Sequence, residues 1–243
     1  MSYCLGINTR HGIVMASDSR TNAGLDQANV ARKLFTFVKP GARAFVLVTS
    51  GGLSLSQSVL AVLTGEYHVG KGLASAETMY DAARCVGDAV RAVAARDREH
   101  LERDSVSFNV NFLIGGQIAG QAHELYLIYP QGNPLRATPE SPFLQIGESK
   151  YGRPILDRAV RYDSTSLEQA TKLALISLDS TMRSNLTVGP PVDLVVYHAG
   201  ELRIRQQMRF GADDTQLMTI RTQWEQELRA AAQRLPEVKF PEG

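Results

Sequence analysis

Short β-rich runs of largely apolar residues, parted by polar turns, occur in three parts of the chain, and between them apolar residues recur at helical spacing. Tyr3–Ile7, Gly12–Asp18, Leu34–Val38 and Arg43–Thr49 are β-rich runs, parted by the turn-like segments 8–12 and 39–41. Two helical stretches follow, a short one at Leu55–Leu63 and a long one at Ser75–Arg103. Met79, Ala83, Val86, Val90 and Val93 form one stripe of the long stretch, with Ser75 as its expected N-cap. Strand patterns return at Ser107–Ile114, where Phe108, Val110 and Phe112 alternate with polar residues, and at Glu124–Tyr129. Helices are predicted at Tyr151–Val160 and Leu167–Arg183, strands at Val192–His198 and Leu202–Met208, and a charged amphipathic helix at Asp213–Arg234.

Strands thus come in blocks and helices in pairs. That order predicts an α+β fold of antiparallel sheets with segregated helices, two sheets face to face and helix pairs outside. No repeat or low-complexity linker divides the chain, so residues 1–243 read as one domain, with 213–243 a C-terminal helical extension.

Composition narrows the function class. The 243 residues are 44% hydrophobic and 21% charged, and 26 basic against 25 acidic residues leave a net charge of +1. So even a balance predicts neither nucleic acid nor an anionic membrane as partner. No apolar run approaches the roughly 18 residues of a membrane span, and the start lacks a signal-peptide pattern, so a cytoplasmic protein is expected. Cys4 and Cys85 make neither a metal motif nor a disulfide framework, the five histidines lack ligand spacing, and Gly115-Gly116 lacks the Lys-Ser/Thr of a phosphate loop. No cofactor or metal is expected.

The chemistry concentrates near the start. Ser2 follows Met1, and small second residues generally allow that Met to be removed. Ser2 would then carry a hydroxyl and a free α-amine on one residue, a weak nucleophile beside a base of ordinary pKa near ~7.7–8.0. By itself Ser2 is also simply a common second residue. Downstream stand Gly12-Ile13-Val14-Met15-Ala16-Ser17-Asp18-Ser19-Arg20, then Arg32-Lys33-Leu34, then Thr49-Ser50-Gly51-Gly52. Taken alone, Asp18 could cap a strand end, Lys33 could be a solvated charge and Gly51 a turn glycine.

Together these segments resemble the proteasome β-type family of N-terminal nucleophile hydrolases. The blocks Leu144-Gln145-Ile146-Gly147-Glu148-Ser149-Lys150-Tyr151-Gly152 and 183–191 are similar to its bacterial ancestral β-subunit branch, Anbu. The resemblance implies a four-layer αββα sandwich. It implies Ser2 as nucleophile, Asp18 and Lys33 as the catalytic charge pair, and Gly51 as the backbone donor to the oxyanion. It places Thr21, Asn22, Thr49 and Leu53 at the substrate, uncharged walls that suit an apolar or small P1 residue. Arg20 is expected as structural support beside Asp18. Glu148, Ser149 and Asn185 stand where many proteasomal β-subunits have other residues, so the support around the amine must be built differently. The resemblance further implies a homo-oligomer, ring or open helix, acting on peptide or protein substrates, with activation resting on Met1 removal. Two rival readings stay open, a non-catalytic assembly subunit and a small-molecule amidase on the same scaffold.

Overall fold

The computed structural model describes residues 2–23 and 27–240. The chain runs β1 (Tyr3–Thr9), β2 (Gly12–Asp18), β3 (Arg20–Ala23), β4 (Gln27–Val30), β5 (Leu34–Lys39), β6 (Arg43–Gly51), α1 (Leu53–His68), α2 (Met79–Arg103), β7 (Val110–Ile118), β8 (Glu124–Ile128), β9 (Pro134–Arg136), β10 (Phe143–Gly147), α3 (Arg153–Ala159), α4 (Leu167–Ser184), β11 (Val192–His198), β12 (Gln206–Phe210) and α5 (Thr215–Gln233). Two antiparallel five-stranded sheets result, in the orders β10-β1-β2-β11-β12 and β5-β6-β7-β8-β9, with β3 and β4 a separate hairpin.

Both sheets are buried on both faces, and strand alternation sorts their side chains into three cores. In β2, Val14 and Ala16 face α4 with Leu194 and Val196 of β11, while Ile13 and Met15 face the other sheet. In β6, Val46 and Val48 meet Met15 and Cys4 between the sheets, while Phe45 and Leu47 pack under Val59 and Leu63 of α1 and Val86 and Val90 of α2. Three apolar cores between four layers make the αββα sandwich, α1 and α2 on one side and α3, α4 and α5 on the other. Each core excludes water from a full sheet face, which is the main force holding the layers together.

The element boundaries differ from the sequence expectation at several places, each for a local reason. The N-cap of α2 is Thr78, not Ser75. Thr78 Oγ1 accepts from Asp81 N–H and the Asp81 carboxylate accepts from Thr78 N–H, a reciprocal capping box that Ser75 lacks the acidic partner to form. The last strand begins at Gln206 rather than Leu202, because Leu202 sits at a φ of 47° in a turn whose N–H donates to the Tyr197 hydroxyl. The β3–β4 hairpin, β9 and β10 are further strands. The first pairs Arg20–Ala23 with Gln27–Val30, mostly polar or small residues without an alternating apolar pattern.

Candidate active site

Four chain segments meet at one end of the sandwich: the start of β1, the end of β2, the stretch before β5 and the end of β6. Ser2 is 9% exposed, immediately before β1. Its carbonyl accepts from Glu148 N–H at 2.8 Å, which extends the β1–β10 ladder one residue beyond Tyr3 and Gly147. Gly147 lies at a φ of 84°, and a Cβ there would collide with the Ser2 carbonyl oxygen, so only glycine lets the turn close on Ser2.

Asp18 ends β2 and is fully buried. One carboxylate oxygen accepts from Lys33 Nζ at 2.7 Å and from Tyr3 N–H at 3.0 Å. The other accepts from Gly189 N–H at 3.3 Å. Burial pushes the Asp18 carboxyl above its ordinary pKa, against the pull of Lys33 and the two backbone donors. Lys33 is itself only 4% exposed, and its ammonium also donates to the Arg20 carbonyl at 2.5 Å. The alternative of a solvated surface lysine is therefore excluded. A buried pair of this kind is costly to break, about 3–5 kcal/mol when one partner is removed.

Gly51 closes β6 at a φ of 109°, and a Cβ would collide with the Asn109 carbonyl oxygen. Glycine is thus required here by the backbone, whatever its N–H does. Thr49 is buried, its hydroxyl donating to the Asn111 carbonyl and its N–H to the Lys33 carbonyl, so it ties Lys33 to β6. Leu53 opens α1 with its side chain partly exposed, and Thr21 is half-buried on β3. The side chain of Asn22 lies outside the described residues.

The supporting residues form a second ring. Arg20 Nη1 donates to the Leu186 carbonyl at 2.6 Å, while Ser19 and Arg20 N–H groups donate to the Gly189 carbonyl. The Glu148 carboxylate is buried, accepting from Asn185 Nδ2 at 2.9 Å with Lys150 Nζ at 3.5 Å. Ser149 shapes the turn through its backbone, donating to the Gly147 carbonyl and accepting from Arg153 N–H. Cys4, fully buried, donates to the Thr49 carbonyl, and burial pushes its thiol up, which removes it as a rival nucleophile at neutral pH.

Sequence reasoning missed two groups of residues here. Gly189 supplies a donor to Asp18 from 171 positions away, and only the β2–β11 register, Asp18 opposite Val192, brings it there. Asp193, buried one residue further on, accepts from Ser19 at 3.0 Å and takes both oxygens to Arg209 Nη1 at 2.8 Å. Among the described residues no cluster of His, Cys, Asp and Glu could hold a metal ion, and no helix is long and apolar enough to cross a membrane.

Comparison with known proteins adds a family. The family model described as proteasome subunit matches residues 2–197. Among solved structures, Anbu (ancestral beta-subunit) from Yersinia bercovieri is 42% identical, with 99% of this chain and 100% of that chain covered and a TM-score of 0.91. The helical assembly of the Anbu complex from Pseudomonas aeruginosa is 47% identical, covering 98% of each chain at a TM-score of 0.92. A Gly-1 mutant of Anbu from Hyphomicrobium sp. strain MC1 is 41% identical, covering 99% of this chain and 100% of that chain, also at 0.92. Among curated proteins none matches by sequence.

Proposed function

The chain belongs to the proteasome family, within its Anbu group, and from that premise we propose that it acts as a peptidase subunit whose nucleophile is Ser2 after removal of Met1. The observation that carries this reading is the buried Lys33–Asp18 pair beside Ser2, with Tyr3 N–H on the same Asp18 oxygen as the ammonium. An ammonium has three donors. Two are committed to Asp18 and the Arg20 carbonyl, and the third is the one we assign to the Ser2 hydroxyl. A cation there also lowers the pKa of the neighbouring α-amine, which keeps it a free base at neutral pH.

In this mechanism Ser2 Oγ attacks the substrate carbonyl carbon while its own α-amine takes the hydroxyl proton. The negative charge that develops on the carbonyl oxygen is met by Gly51 N–H. Collapse expels the leaving amine, which receives the proton from the Ser2 ammonium and leaves an ester on Oγ. Water, deprotonated by the same amine, hydrolyses that ester and restores the hydroxyl. One water is consumed per bond cleaved, and no cofactor enters. Thr21, Thr49 and Leu53 give uncharged surroundings suited to an apolar or small P1 side chain, and Asn22 completes the proposed substrate contacts.

The reading extends to assembly. The Pseudomonas aeruginosa relative is described as a helical assembly, and we propose a homo-oligomer, ring or open helix, in the cytoplasm for this chain as well. The outer face of α5 supports this, since Met218 and Leu228 are each 50% exposed while Leu217 is buried against the α4 side.

A fluorophosphonate probe tests the chemistry. Wild type should be phosphonylated at Ser2 and should cleave peptides with an apolar P1 residue, and Ser2→Ala should do neither. Peptide cleavage that survives Ser2→Ala would overturn the reading. Cleavage of small amides with no peptide turnover would favour the amidase, and no reaction of either kind the scaffold.

A further inference from the structure

The loop 185–189 touches both halves of the site, and it does so from opposite ends. Its first residue, Asn185, caps α4 and donates Nδ2–H to the buried Glu148 carboxylate at 2.9 Å. Glu148 in turn grips the Ser2 carbonyl through its N–H. The last residue of the loop, Gly189, donates its N–H to Asp18, the residue that holds Lys33 and Tyr3. Between the two ends the loop is stiffened. Asn185 Oδ1 accepts from both Thr187 N–H and the Thr187 hydroxyl, at 3.0 and 2.6 Å, and Val188 N–H donates to the Asn185 carbonyl. Arg20 holds the Leu186 carbonyl, and Ser19 and Arg20 hold that of Gly189.

We infer that this loop is a two-ended clamp that sets the register of Ser2 relative to the Lys33–Asp18 pair, with Asn185 and Glu148 as its positioning residues. The inference rests on the reading of Ser2 as nucleophile. Neither strand pairing alone fixes that register. The Ser2 carbonyl is held on the β10 side through Glu148 N–H, whereas on the β2 side the regular pairing of β1 ends at Cys4 opposite Ser17 and only Tyr3 N–H reaches Asp18. The clamp ties the two sides through a single stiff turn. The Asn185–Glu148 bond is a hydrogen bond to a buried charge, whose loss costs about 1.5–3 kcal/mol and so one to two orders of magnitude in any rate that depends on it. Misplacing a nucleophile by about 1 Å can cost as much.

The polarity of the Asn185–Glu148 bond gives the test. Asn185→Asp sets a carboxylate against a carboxylate and keeps the acceptor that Thr187 needs. Asn185→Asp with Glu148→Gln restores the bond in reverse, since the introduced side-chain amide then donates to the new carboxylate at unchanged net charge. Fluorophosphonate labelling of Ser2 gives kinact and KI for each protein, and hydrogen exchange followed at the Tyr3 and Glu148 amides reports the register without any chemistry. Asn185→Asp is expected to lower kinact about 10- to 100-fold with KI little changed, and to speed exchange at both amides. The double variant should recover most of both. A single variant that labels and exchanges like wild type, or a double variant no better than the single, overturns the clamp. If wild type is not labelled at Ser2 but the exchange pattern follows the expectation, the clamp stands and the nucleophile reading falls.

Discussion

Two buried aspartates sit one strand apart at the same end of the sandwich, and they are partnered in opposite ways. Asp193 meets a guanidinium that lies 41% exposed at the rim and a serine hydroxyl from below. Asp18 meets an ammonium that is itself buried, and it accepts in addition from two backbone N–H groups. A guanidinium is planar, spreads its charge and keeps one side in water, so Asp193–Arg209 has the form of a strand tie between β11 and β12. An ammonium is a compact point charge, and burying it is expensive unless the position is needed. The contrast shows how two similar ion pairs divide into a fastening and a tool.

The comparison breaks most sharply on Lys33. Lys33→Ala should reduce Ser2 labelling by two or more orders of magnitude, and denaturant unfolding should register a loss of about 3–5 kcal/mol from the unpaired carboxylate left inside. Burial thus makes this substitution a stability experiment as well as a chemical one. Wild-type labelling in a folded Lys33→Ala protein would reduce Asp18–Lys33 to a second fastening.

Lys33→Arg sharpens it, as the next largest effect. The guanidinium keeps the charge but does not fit between Asp18 and the Arg20 carbonyl, so labelling should recover only a small part of the wild-type rate. Full recovery would mean that charge alone matters at this position.

Arg209→Ala provides the other arm. Asp193 keeps its Ser19 bond and gains water, so the cost should be about 1–3 kcal/mol, with Ser2 labelling within a few-fold of wild type. A loss of labelling comparable to that of Lys33→Ala would abolish the distinction.

A smaller, graded effect concerns pH. Because burial raises the Asp18 carboxyl, it takes up a proton on acidification before an ordinary aspartate would, above the usual value near ~3.9. Protonation of the Ser2 α-amine gives the labelling rate its first acid limb, and protonated Asp18, which no longer anchors Lys33, should add a second, steeper fall that begins above that aspartate value. A second fall at or below the ordinary aspartate value would contradict the environment described for Asp18.

The sequence made the frame of this site readable because its residues are close in chain order. Ser2, Asp18, Lys33 and Gly51 lie on or beside successive early elements, and β1, β2, β5 and β6 stand out as short β-rich, largely apolar runs between turns. What stayed hidden depends on register between distant strands. Nothing local in Val188-Gly189-Pro190 tells that its N–H reaches Asp18, and nothing near Asp193 announces Arg209. The polar β3–β4 hairpin was invisible for a different reason, since a strand pair outside the two main sheets has no reason to alternate apolar residues. Trp224 illustrates the same limit. On the helix expected at Asp213–Arg234 it falls at helical spacing with Leu217, Ile220 and Leu228, but the structure leaves it only partly buried on a helix held to α4 by Leu217, Ile220 and an Arg221–Asp179 ion pair.

The central claim is that the Ser2 α-amine is the base. The most direct measurement is the intact mass of fluorophosphonate-treated protein, with the adduct mapped by peptide and sorted by the presence of Met1. Adduct on Ser2 confined to molecules that have lost Met1 is the predicted result. Equal labelling of molecules that retain Met1, where the Ser2 nitrogen is an amide and not a base, would contradict it.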